Sequence, residues 1–204
     1  MSRVIAYVDG FNLYYGLKAK HGRKYLWLDL QGLAVSMLRP GDTLASVKYF
    51  TARVRNDPNG EQRQSVYLDA LASHCPLLTV IDGRFQEKVR LCHNCNSTWT
   101  SYEEKETDVS IAVAMVEDAV LSNYDTALLV SADSDLCPSV RSVRRLSPRK
   151  RIIAAFPPRR WSGDLAAAVH GSFTIGDAKI RQAQLPLKIV GPGGILLAKP
   201  AHWA

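Results

Sequence analysis

Five short apolar runs punctuate the chain: Val4 to Val8, Ser46 to Ala52, Leu77 to Ile81, Thr126 to Ser131 and Arg151 to Phe156. Between them lie longer segments in which apolar residues return every three or four positions. These are Asn12 to Lys20, Leu30 to Leu38, Glu61 to His74, Thr107 to Ser122 and Pro138 to Leu146, with shorter ones at Ser162 to His170 and Asp177 to Gln184. Such alternation predicts parallel strands buried on both faces by crossover helices. The expected fold class is α/β: a doubly wound, mostly parallel five- or six-stranded sheet with helices on both faces. If strand order is 3-2-1-4-5, strands one and four flank the reversal of winding, where ligands bind in such sheets.

Within the helix from Thr107, a stripe of Val109, Val113, Val116 and Val120 runs beside a second of Ile111 and Met115, so burial of most of its surface is expected. Thr107 is a candidate N-cap, with Asp108 in the first turn. One domain is expected over residues 1–185, interrupted at 83–102 by a small hairpin bearing a cysteine knuckle. The tail, 186–204, is broken by Pro and Gly and is expected to be irregular or to add one edge strand.

A chain of 204 residues with 47% hydrophobic and 22% charged side chains can bury one sizeable core, which excludes a disordered protein. The longest uncharged apolar stretch in a periodic segment, Ser110 to Val116, falls far short of the ~20 residues that span a bilayer. The N-terminus enters a strand at once, without signal-peptide order, so cytoplasmic residence is expected. The net charge of +7 is segregated, with 14 Lys and Arg against 17 Asp and Glu up to residue 138 and 12 against 2 beyond it. A cationic third beside an acidic remainder suits a polyanion whose phosphates need counter-charge, although a solvated basic surface gives the same count.

The acidic residues gather at the strand tips. The first strand ends in YVDGFN, with Asp9 just past four apolar residues, and the fourth ends in LLVSADSDL, with Asp133 and Asp135 past its apolar run. A third acidic element, EEKETDVS, opens the Thr107 helix, where Asp108 also has a bland role as complement to the helix dipole. Carboxylates converging in a crevice repel one another and take up protons unless a cation neutralises them. Hard oxygen ligands with room for water favour Mg²⁺ or Mn²⁺, and such ions support phosphodiester cleavage. A dehalogenase-type phosphatase would need a second aspartate where Phe11 stands. An adhesion-type metal site would need D-x-S-x-S instead of Asp133-Ser134-Asp135.

Taken in order, DGFN at 9–12, EEKETDVSIAV at 103–113 and SADSDLCPSV at 131–140 resemble the three signature blocks of the NYN branch of the PIN-like nuclease superfamily, over a span from Arg3 to about Gln184. The resemblance implies a PIN-like fold and a Mg²⁺ or Mn²⁺ site of Asp9, Asp108, Asp133 and Asp135. It gives Asn12 and Ser131 supporting roles, and Tyr14, Lys105, Arg141 and Arg144 stand beside them as candidate substrate contacts. It also implies an endoribonuclease acting on single-stranded or structured RNA. A non-catalytic RNA-binding or protein-recruiting module that kept the acidic pocket is the alternative, and a nuclease acting on DNA or a phosphatase of small esters is a third.

Cys92 and Cys95 form a C-x-x-C knuckle that admits three readings: half of a structural Zn²⁺ site, unliganded thiols or a redox pair. His74, Cys75, His93, Cys137 or a second chain could complete a zinc site, and a homodimer is a candidate assembly. Arg141, Arg144 and Arg145 share one helix face near the proposed metals and could track a phosphate backbone, as could Arg53, Arg55 and Arg63. Tyr14, Tyr15 and Trp99 could stack on unpaired bases, though aromatics at helical spacing are also core residues. Arg159 and Arg160 are expected on the same side of the sheet as Asp9.

Overall fold

The computed structural model describes residues 1–91 and 94–203, with backbone alone for 84–89 and 100–105. Its first half runs β1 (Arg3–Asp9), α1 (Gly10–His21), α2 (Leu30–Ser36), β2 (Thr43–Ala52), α3 (Pro58–His74), β3 (Leu78–Leu91) and β4 (Thr98–Lys105). The second half runs α4 (Thr107–Val120), β5 (Thr126–Val130), α5 (Cys137–Leu146), β6 (Arg151–Phe156), α6 (Gly163–Ala168), β7 (Gly171–Thr174), α7 (Asp177–Gln182), β8 (Lys188–Val190) and β9 (Leu196–Ala198). Among the described residues seven strands form one sheet in the order β4-β3-β2-β1-β5-β6-β7. All neighbours are parallel except β4, which folds back antiparallel on β3. The five foreseen strands thus stand in the expected order. The short β7, whose run GSFT has little apolar content, is the sixth parallel strand.

Alternation along β1 feeds both layers, because successive side chains point to opposite faces. Val4, Ala6 and Val8 pack with Leu13 and Leu17 of α1, Leu33 of α2 and Leu71 of α3. Ile5 and Tyr7 pack on the other face with Ile111 and Met115 of α4 and Val140 and Val143 of α5. Caps define several helix starts. The Asp29 carboxylate accepts from Gly32 N–H at 2.7 Å and that of Asp57 from Gly60 N–H at 3.0 Å. With Pro58 at the first turn, this cap starts α3 three residues before the expected Glu61.

Three expectations need correction. Burial of most of α4 does not occur: Ile111, Met115 and Ala119 are buried, whereas Val109, Val113 and Val120 are exposed. A helix lying on a sheet hides one face, and the two apolar stripes compete for it. Thr107 is not the N-cap of α4, because Glu106 holds that position in the left-handed region at φ 77°. The tail is neither irregular nor an added edge strand. It forms its own antiparallel β8-β9 hairpin, with Lys188 opposite Ala198. Gly193 and Gly194, at φ 67° and 79°, make the turn. Ile189, Leu197 and Trp203 of this segment join the core that contains α1 and α3. Among the described residues, no helix is long and apolar enough to cross a membrane.

One buried polar network ties the second layer together. The Asp118 carboxylate receives Tyr7 O–H at 2.6 Å, Lys48 Nζ at 2.6 Å and Asn123 Nδ2 at 2.9 Å. Burial works against the Asp118 charge, but Lys48 and the other donors outweigh it and hold its pKa below the ordinary carboxylate value. A depressed folded pKa stabilises the fold above the ordinary value and ceases to do so as pH falls through the folded one. Asp118→Asn is therefore expected to cost about 2 kcal/mol at pH 7, with a deficit that shrinks below about pH 4. Urea unfolding of both proteins at the two pH values checks this, and an equal deficit at both would contradict it.

Candidate functional site

The tips of β1 and β5 lie side by side, with Val8 paired to Val130, and their outgoing turns are joined by a series of hydrogen bonds. Asp9 ends β1 and is also the N-cap of α1, where Asn12 N–H donates to its Oδ1 at 2.9 Å. Its Oδ2 accepts from Ser131 Oγ at 2.8 Å. The Ser131 hydroxyl in turn accepts from Asp133 N–H at 3.0 Å, and Asp133 Oδ1 accepts from Asp135 N–H at 2.9 Å. Asn12 closes the circuit, its Oδ1 accepting from Ala132 N–H at 3.2 Å. Asp9 and Ser131 are 3% and 0% exposed, so the first carboxylate is buried and held on both oxygens. These two donors are neutral and orient the group. Gly10 is required at this exit, since a Cβ there would come within 2.6 Å of the Phe50 carbonyl oxygen and 2.9 Å of the Tyr49 ring.

Asp133 is half-buried and Asp135 exposed on the 3-10 turn Ser134–Leu136 that leads into α5. Asp108 stands half-buried in the first turn of α4, a helix that packs against this turn. Among the described residues, no three His, Cys, Asp or Glu side chains form a group able to hold a metal ion. The four aspartates are thus not closed into a cage. The donor set nevertheless fits Mg²⁺ or Mn²⁺, because Mg²⁺ commonly keeps several waters and takes only one or two carboxylates plus substrate phosphate oxygens.

Beside Asp135, a groove of ≈ 760 Å³ is lined by Arg141, Arg144, Asp164 and the buried Cys137. Arg144 also donates to the Ala168 carbonyl at 2.7 Å, which fixes its guanidinium at the groove wall. Burial raises the Cys137 thiol pKa, although Arg141 opposes the shift. On the other side of Asp9, a pocket of ≈ 370 Å³ opens between α1, β2 and α3. Tyr14 lines it, half-buried and edge-on to Tyr15 at 5.2 Å. Tyr49, Tyr67, Arg23 and Trp203 share the lining and went unmarked in the sequence. The position of Tyr49 beside Lys48 in alternating β2 was its one local signal. Trp203 arrives from the far end of the chain and had none.

The remaining candidates scatter. Arg53 pairs with Asp82 at 3.1 Å, and Arg63 with Asp57 at 3.6 Å. Pro157 and Pro158 pack on Gly16 of α1, which brings Arg160 over the Tyr15 ring at 6.0 Å. Trp99 is half exposed. Cys92 and His93 lie outside the described residues, and so does the side chain of Lys105. Cys95 is exposed, its Sγ 3.0 Å from Ser97 Oγ. Cys75 and Cys137 sit in cores on opposite faces of the sheet, so the two do not jointly complete a site with Cys95. Burial pushes the Cys75 thiol up to about 12, and it donates to Asp29 Oδ1 at 3.3 Å.

Three likenesses accompany this geometry. A match to the NYN domain family covers residues 3–176. A 6-hydroxy-3-succinoylpyridine 3-monooxygenase from Pseudomonas putida is 27% identical in a 240-residue alignment that takes in 98% of this chain and 75% of that protein. A crystal structure of a protein of unknown function from Vibrio parahaemolyticus superposes with a TM-score of 0.56 and 20% identity, covering 86% of this chain and 94% of that one. This last likeness is one of fold.

Proposed function

Since the chain belongs to the NYN domain family, which is nuclease-like as a group, we propose that it is a Mg²⁺- or Mn²⁺-dependent endoribonuclease hydrolysing RNA phosphodiester bonds at the tips of β1 and β5. The observation that carries this reading is the buried Asp9 carboxylate, oriented on both oxygens by Asn12 N–H and Ser131 Oγ–H, beside the turn that bears Asp133 and Asp135. Asp9 and Asp133, with Asp108 and Asp135 nearby, would hold the ion. Bound there, it would supply Lewis acidity and water of lowered pKa. The chain's own residues do the rest. Ser131 and Asn12 couple the two turns, so the carboxylates keep their relative position when substrate arrives. Arg141 and Arg144 supply positive charge along the groove beside Asp135, where phosphates of the strand would lie.

Labelled single-stranded RNA is expected to yield products with the purified chain in Mg²⁺ or Mn²⁺ and none in EDTA, and to be cut faster than DNA or a small phosphate ester. Tight RNA binding without products in either metal would favour the non-catalytic module. A second reading follows from the oxygenase relative, whose name gives it a succinoyl-substituted hydroxypyridine. The aromatic pocket beside Asp9 favours it, and turnover of such a pyridine without RNA cleavage would establish it in place of the first.

A further inference from the structure

The pocket between α1, β2 and α3 is lined by none of the four aspartates, yet it abuts the strand tips. Gly10 and Phe11, directly after Asp9, form one edge, and the ring of Tyr49 lies beneath Gly10. Its interior polar groups are already committed. Tyr67 O–H donates to the Leu28 carbonyl at 2.8 Å, and Gln64 donates to Ala52 O and accepts from Val54 N–H. Burial raises the Tyr49 pKa to about 12, so its hydroxyl stays neutral. What the interior offers a guest is therefore ring surface, from Tyr14, Tyr49, Tyr67 and Trp203.

The rim is different. Lys18 and Arg23 are exposed there, and among the described residues neither pairs with a carboxylate. Among the described residues of the lining the one acidic member, Asp57, is engaged by Gly60 N–H and by Arg63. Charge from Arg23, then burial and Arg63, outweigh Asp57 and hold neighbouring His202 below its ordinary pKa. An aromatic floor under a cationic rim selects a planar ring that carries an anion. The volume of ≈ 370 Å³ lies within the range of small-ligand sites, roughly 300–1,000 Å³.

We propose that this pocket binds a planar aromatic ring bearing an anionic group, with the ring against Tyr14, Tyr49 and Trp203 and the anion against Lys18 and Arg23. Two sources carry that chemistry: one nucleotide of an RNA strand whose backbone crosses the strand tips, or a free heteroaromatic acid. The first rests on the nuclease reading and deepens it, by making the pocket the place where a base next to the cut is unstacked and held.

Calorimetric titration of the full chain in EDTA tests the pocket without cleavage. The probes are adenosine 5′-monophosphate, a single-stranded RNA hexamer and pyridine-3-carboxylate. Saturable binding of the hexamer or of either small ligand is expected, weakened about tenfold by Arg23→Ala and by Tyr14→Ala and unchanged by Arg181→Ala on α7. A hexamer that binds tighter than both small ligands identifies a strand as the source; a small ligand that binds tightest identifies a free acid. No saturation by any probe at millimolar concentration overturns the proposal, and so does binding that Arg23→Ala and Tyr14→Ala both leave intact. Failure here would leave RNA cleavage in Mg²⁺ untouched, and retained binding by a chain that cuts nothing would leave the pocket standing.

Discussion

Asp9→Asn is expected to lower RNA cleavage about a thousandfold or more while leaving the fold in place. The two halves of that expectation have separate causes. Asparagine caps helices about as well as aspartate, so its Oδ1 can still accept from Asn12 N–H and α1 keeps its start. Ser131 Oγ, which donates to Asp9, has a second lone pair beyond the one engaged by Asp133 N–H, and can accept from the new amide. The substitution removes the negative charge and one oxygen acceptor, and those are what a divalent cation requires. Asp133→Asn should behave alike, since its Oδ1 can continue to receive Asp135 N–H. Cleavage rates at saturating Mn²⁺, read beside thermal unfolding, check both. Full activity in the two variants would remove the carboxylates from the mechanism.

Trp203→Ala should have the largest effect on stability, about 3–5 kcal/mol, although the residue lies one position from the end of the chain. Trp203 is only 8% exposed and packs against Tyr67 at 5.7 Å and Trp27 at 6.4 Å. It seals the layer formed by α1, α3 and the β8-β9 hairpin. Truncation leaves a void that the two large rings beside it cannot collapse to fill, and loses the transfer energy of the indole as well. Urea unfolding measures the loss. An unchanged midpoint would mean that the tail packs on the domain without sharing its cooperative unfolding.

Much of the architecture was legible along the chain because its signals are local. The strand runs and the helices between them impose right-handed parallel crossovers, and β1 and β5 become neighbours under the doubly wound order 3-2-1-4-5, which the structure supplies. Asp9 and Asp133 follow apolar runs directly, so their place at adjacent tips needed no knowledge of side-chain packing. The NYN membership shown by the match over residues 3–176 agrees with the motif blocks from which the family was first suggested. The burial of α4 was misread for a physical reason. Val109 and Ile111 are equally apolar, and hydropathy does not say which stripe meets the sheet; Tyr7 and the other side chains below it decide that.

The sequence by itself determined the α/β class, five of the parallel strands and the two acidic turns, since each follows from periodicity and from residues close together in the chain. Tertiary structure alone decided that Ser131 bridges Asp9 to the second turn, that Val109, Val113 and Val120 face outward, and that Trp203 meets Tyr67 beside an aromatic pocket. Those contacts join positions up to 136 residues apart, Tyr67 to Trp203 being the widest. Their energies depend on which surfaces remain after the strands have paired, a quantity that no window of sequence contains.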